Sequence, residues 1–200
     1  MPSALRSPRP ASGGPLARAF AYLKHFPGAV LALCQMPGKD QSALAQRQKN
    51  CLSCCNEIGR RAAEAGIAAA FHPNSPAGSV FRVEEDYKVL LDGLDAKAVG
   101  FAPDAGHIAK GGMNVVEIFR RYRPAIRHVH FKDMAADGTW AEMGRGVIDF
   151  PTIVADLHQG CYAGWIMVED ESPRAEVDPD LVTDENGRYV TRALRPKSGR

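Results

Sequence analysis

No run of about 18 consecutive apolar residues occurs in the chain, which excludes a membrane-spanning helix. The start MPSALRSPRPASGGPLARAF also lacks the apolar core of a secretory signal, so a cytoplasmic location without a membrane partner is expected. An excess of charge is missing too. Lys and Arg number 25 against 23 Asp and Glu, a net +2 that gives no basic field to neutralise a row of phosphates. Nucleic acid is therefore not the expected partner, and a small molecule is. Cysteine is sparse and odd in number, with five in 200 residues. Cys51, Cys54 and Cys55 crowd into CLSCC, but no later CxxC or HxxxH completes a zinc half-site. Their spacing with Ile58 and Ala62 marks the apolar stripe of a helix instead, and the isolated Cys34 and Cys161 are read as packing residues as well. No GxGxxG or Walker sequence follows any apolar run, which removes the usual phosphate-loop reasons for a doubly wound sheet.

What is present is a regular alternation. The segments AVLALCQ, IAAAF, AVGFA, IRHVHF and GWIMVE are short and apolar on both faces, as strands buried on both sides are. Between them lie helical segments: Ser42 to Gly66, VEEDYKVLLDGL, NVVEIFRRY and DFPTIVADLHQ, with LARAFAYLKHF preceding the first strand. Strands alternating with helices of this length imply right-handed βαβ units and a parallel α/β sheet covered by helices. Residues 1–14 have no periodicity and are expected to be disordered, and 15–172 carry the fold. Residues 173–200 form a polar C-terminal extension in which LVTDENGRYV offers a surface hairpin about Asn186-Gly187.

The strand exits carry the chemistry. The second strand runs out into His72-Pro73-Asn74, the third into Asp104 and His107, the fourth ends on His130 with Lys132 and Asp133 beyond, and the fifth ends on Glu169 with Glu171 beyond. In a barrel these ends converge on one cavity, where imidazole and carboxylate donors suit one divalent ion, Mn, Co, Mg or Zn. Asp104 and His107 have a plainer reading as the polar start of a helix, since Asp is favoured there. Lys132 and Arg145 are candidates to bind substrate hydroxyls, and His128, on the same strand face as His130, is placed behind the metal layer.

The runs FHPNSPAGS, PDAGHIAKGGMNVVEIFRRYRPAIRHVHFKD, MGRGVIDFPTIVADL and GWIMVEDE, in this order, resemble the xylose isomerase-like TIM-barrel superfamily of sugar isomerases and epimerases. HVHFKD and GRGVIDF are most similar to its inosose dehydratase-like members. The resemblance implies a (β/α)8 barrel in which one divalent ion is held by residues from the last four strands. Asp104, His130 and Glu169 match three of those ligands, and His72 stands where many members have Glu. It further implies His107 as a substrate contact and Glu169, His72 and His107 as the acid and base groups. The implied activity is a metal-dependent sugar or keto-sugar isomerase or epimerase working through an enediolate. An inosose dehydratase-type lyase is the alternative, because replacing Glu by His72 removes one partner of a two-carboxylate acid/base pair. About five of eight strands are accounted for, since a complete barrel takes about 250 residues. An N-terminally truncated barrel is therefore expected, and an inactive homo-oligomeric or binding module is a further alternative.

Overall fold

A computed structural model describes residues 14–195. The expected disorder of 1–14 concerns residues that lie, Gly14 excepted, outside that range. Five parallel strands follow one another in sequence order: β1 (Val30–Leu33), β2 (Ala68–Phe71), β3 (Val99–Phe101), β4 (Val129–Phe131) and, after an intervening hairpin, β7 (Ile166–Val168). β1, β2 and β3 pair in register, Leu33 with Phe71 and Phe71 with Phe101. β4 pairs with β7, Val129 with Ile166. Single parallel bridges, Phe101 to Ile126 and Asp104 to His130, join the two sets into one arc. β1 and β7 are its ends, and Trp165, Met167 and Val168 along β7 are exposed.

The helix α1 (Pro15–Leu23) precedes β1, and α2 (Leu44–Glu64), α3 (Glu84–Gly93), α4 (Ala105–Lys110), α5 (Val115–Tyr122) and α6 (Phe150–Gln159) connect the strands. None among the described residues is long and apolar enough to cross a membrane. Phe71, Phe101, Val129 and Phe131 turn one face of the arc toward Leu90, Ile118, Phe119 and Ile153, and this layer is the core. Alternation along each strand then directs the neighbouring residues to the barrel interior. The stripe expected on α2 is present: Cys55 and Ala62 are buried, Cys51 is half-buried, and Gly59 lies between them. Cys54, by contrast, is exposed. Gly59 lets α2 approach β3 closely, because a Cβ there would collide with the Val99 side chain and press on the Ala98 backbone. Gly59→Val is expected to cost about 1–3 kcal/mol through overpacking, read as a lower urea midpoint.

Three expectations are corrected. The proposed hairpin about Asn186-Gly187 is helical: α7 (Pro173–Val177) is followed by α8 (Pro179–Tyr189). Asp178 caps α8 by accepting from Leu181 N–H at 3.1 Å, and Pro179 occupies its first turn, a start signal that outweighs the Asn-Gly turn signal. Asn186 is buried, accepting from Met143 N–H at 2.9 Å and donating to Asp170 at 2.7 Å. Cys34 and Cys161 are exposed rather than packed, Cys34 because it lies just beyond β1 on the interior face of the arc, Cys161 because it sits in a left-handed turn after α6. Between β4 and α6, a small antiparallel hairpin not anticipated from sequence, β5 (Asp133–Met134) with β6 (Trp140–Ala141), folds over the strand ends.

Candidate metal centre

Parallel pairing in register brings the residues just past each strand to one level. His72 N–H donates to Leu33 O at 2.8 Å, His130 N–H to Pro103 O at 2.9 Å and Glu169 N–H to Phe131 O at 2.9 Å, so the ladder extends through the residues that bear the functional side chains. As a result His72, Asp104, His130 and Glu169 each present one donor atom, all within 4.8 Å of one another. His72 Nε2 stands 3.6 Å from Asp104 Oδ2, His130 Nδ1 stands 3.1 Å from Glu169 Oε2, and the His72 and His130 rings are 4.4 Å apart.

Asp104 meets both readings of its sequence position. Its Oδ1 caps α4 by accepting from His107 N–H at 2.8 Å, while Oδ2 points into the cluster. Asp104 is fully buried, and its Oδ2 has no hydrogen-bond partner. His72 Nε2 and His130 Nε2 are likewise buried without partners. Three buried, unpartnered donors facing one point are costly unless something occupies that point, and nitrogen and carboxylate donors fit a divalent cation.

His107 enters from α4. Its Nδ1 is 2.8 Å from Ser75 Oγ, and its ring stands edge-on to His72 at 5.7 Å and to Trp140 of the β5–β6 hairpin at 5.6 Å. Ser75 and Trp140 were not singled out from sequence. Ser75 lies three residues past His72, but nothing local marks Trp140, whose place depends on the hairpin. Lys132 is 1% exposed and donates to Glu169 at 2.6 Å and Glu171 at 2.7 Å, so Glu171 serves as its second anchor and stays outside the donor cluster. Arg145 is not brought to the site. It is 61% exposed and pairs with Glu185 at 3.4 Å. Asp133 turns away to bind backbone N–H groups of its own loop. His128 lies behind His130, with ring centres 5.0 Å apart.

The electrostatics are uneven. Burial opposes a charge on His72, but the Asp104 carboxylate 3.6 Å away, with a smaller contribution from Cys34, overcomes it and raises the ring to about 9. His107 goes the other way: burial drives it down to about 4, against the attraction of Asp104, with Lys132 and His72 adding to the drop. Glu169 is held well below the usual carboxylate range by its His130 hydrogen bond, against burial and with help from Lys132. A raised histidine pKa stabilises the metal-free fold fully below about pH 6.5, and that stability is lost as pH climbs through about 9. Cation binding has the opposite slope, because a protonated ring has no lone pair to offer. Zinc affinity is accordingly expected to rise with pH up to about 9 and then level off. Calorimetric titration at several pH values checks this, and a flat profile would contradict it.

Comparison with known proteins agrees with the architecture. The signature of the family described as xylose isomerase-like TIM barrel matches residues 16–193. Inosose dehydratase from Clostridium beijerinckii is 30% identical over 153 residues, 68% of this chain and 51% of that protein. The inosose dehydratase of Geobacillus kaustophilus is 31% identical over 158 residues, 70% of this chain and 48% of that protein. The chain thus spans about half the length of these relatives. Among solved structures, 3-keto-D-glucoside 4-epimerase from E. coli superposes with a TM-score of 0.72 at 19% identity, covering 88% of this chain and 68% of that one. The IOLI protein with a bound zinc atom gives 0.75 at 14% identity, covering 90% and 67%. At these identities the superpositions establish the fold alone.

Proposed function

Because the chain belongs to the xylose isomerase-like TIM-barrel family, we propose that it is a divalent-metal-dependent isomerase or epimerase of sugars or keto-sugars. The observation that carries this reading is the convergence of His72, Asp104, His130 and Glu169, three of them with buried donors that have no partner. These four residues would hold one Mn, Co, Mg or Zn ion, which when bound supplies a Lewis acid beside a substrate oxygen. His107, uncharged near neutrality, is the group able to accept a proton from a carbon next to a carbonyl, with Ser75 fixing its ring. Glu169 remains ionised and is the second proton carrier, while His72, expected from the sequence as a third acid or base, is given up to the ion in this arrangement. Proton removal at such a carbon produces an enediolate; return of the proton to the neighbouring carbon gives the isomer, and return to the same carbon from the opposite face gives the epimer. Of the expected substrate contacts, His107 stands beside the cluster. Lys132 is held by Glu169 and Glu171, and Arg145 is drawn away to Glu185.

The second reading, loss of water from a keto-inositol, is favoured by the inosose dehydratase relatives. It is also favoured by His72: with an imidazole where many members have Glu, the proton work falls to His107 and Glu169, an unlike pair that suits removing a proton and protonating a departing hydroxyl better than a symmetric two-carboxylate exchange. The purified chain, loaded with Mn or Co, is to be offered a panel of ketoses and a keto-inositol. Isomer formation supports the first reading and water loss the second. A chain that binds metal, self-associates through the exposed β7 edge and turns nothing over would be a binding module, and both enzymatic readings would fall.

A further inference from the structure

We infer that Lys132, expected from the sequence to touch substrate, is instead a positioning residue for the metal centre, holding one oxygen of Glu169 so that the other faces the remaining donors. The inference rests on the metal-binding reading of the four-residue cluster. Strand pairing sets up the contact. Phe131 and Val168 are register partners in β4 and β7, and Glu169 N–H donates to Phe131 O, so the residues just beyond, Lys132 and Glu169, lie side by side at the strand ends. Alternation puts Lys132 on the same side of β4 as His130 and opposite to the core residue Phe131. Glu169 then divides its two oxygens. Oε1 stands 2.6 Å from Lys132 Nζ, and Oε2 stands 3.1 Å from Nδ1 of His130, a member of the donor cluster.

The ammonium is itself held in place. It donates to Glu171 Oε1 at 2.7 Å and lies 4.9 Å from the centre of the Trp140 ring, and the whole residue is 1% exposed. Its backbone is equally close-set: a Cβ at Gly106 of α4 would collide with Lys132 O and press on Lys132 Cβ and the Trp140 ring. A cation so deeply buried is costly unless paired, which keeps Lys132 with its two carboxylates and leaves little of it open to a sugar. The same pairing sorts the carboxylates, because Glu171 is spent on the ammonium and stays outside the donor group while Glu169 reaches both. A ligating carboxylate ordinarily has an outer hydrogen-bond partner, and losing that partner weakens metal binding about 10–100-fold. Charge acts in the opposite direction, since an ammonium beside the cluster repels a divalent ion and its removal alone would tighten binding. Glu171 offsets that charge, so the loss of orientation is expected to prevail.

The test compares Lys132→Met, which keeps the length and the apolar stem, with Lys132→Arg, which keeps the charge and the donors, by chelator competition for zinc at one pH. The full chain is used throughout, with circular dichroism as the fold control. Lys132→Met is expected to bind zinc about 10–100-fold more weakly than wild type, and Lys132→Arg to recover most of that loss. Recovery by Arg is the result that a merely space-filling lysine would not give, because Met fills the space as well. Unchanged or tighter zinc binding in Lys132→Met overturns the inference while leaving the metal centre intact, and so does a folded Lys132→Arg that binds no better than Lys132→Met. If Lys132→Met does not fold, Lys132→Gln, whose nitrogen stops one bond short of Glu169, takes its place and has to show the same weakening. Absence of zinc binding in the wild type overturns the metal-binding reading itself, and the inference with it.

Discussion

Asp104→Asn is expected to lose divalent metal while remaining folded, and Asp104→Ala to lose metal and some stability as well. The difference follows from the two oxygens of one side chain. Oδ1 caps α4 through His107 N–H, and an Asn side-chain oxygen can accept that bond unchanged. Oδ2 faces His72 in a fully buried position, and there the substitution exchanges an anionic donor for an amide. Removing one charged member from such a buried set costs about 3 kcal/mol or more, on the order of 100-fold or greater in metal affinity. Asp104→Ala additionally deletes the cap, worth about 1 kcal/mol of stability. Metal content after gel filtration in zinc or manganese, set beside a urea titration, reads the two effects separately. Full metal occupancy in Asp104→Asn would show that the cap is the residue's whole purpose.

The largest effect on stability is expected at Asp133, which is fully buried beside the site without entering it. Its Oδ1 accepts from Met134 N–H at 2.8 Å, and its Oδ2 accepts from Gly144 N–H and Gly146 N–H, each at 2.9 Å. The GRG loop closes around this carboxylate so tightly that a Cβ at Gly146 would collide with it. Burial raises the carboxyl pKa, against the lowering by these N–H donors, so the value of Asp133 lies in satisfying the donors and not in its charge. Asp133→Ala leaves three backbone N–H groups without their acceptor and is expected to cost about 3–4 kcal/mol, a fall in melting temperature on the order of 10 °C. Asp133→Asn keeps one oxygen for Gly144 and Gly146 and should cost less than half as much. A loss below about 1 kcal/mol in the alanine variant, measured by chemical denaturation, would mean that water replaces the carboxylate and the loop is not clamped.

The sequence by itself determined the alternating parallel architecture and the strand ends where donors gather. Apolar segments, helix periodicity and caps are local properties, and His72 and Glu169 follow such a segment directly, Asp104 comes three residues after Phe101, and His130 lies within β4. Pairing in register then has to bring them together. Only the tertiary structure decided which polar residues near those ends face the cluster and which are taken up elsewhere. Lys132 is drawn to Glu169 and Glu171, Arg145 to Glu185, and Asp133 to its own loop. Asn186 is held by Met143 and Asp170 inside a helix where the Asn-Gly pair alone suggests a turn. Cys34 shows the same limit from the opposite side. Isolated in the sequence, it is read as a packed thiol, and the structure leaves it exposed just beyond β1. The reason is physical: side-chain alternation and caps depend on neighbours within a few residues, whereas a long polar side chain takes the best partner within reach, and chain folding alone decides which partner that is.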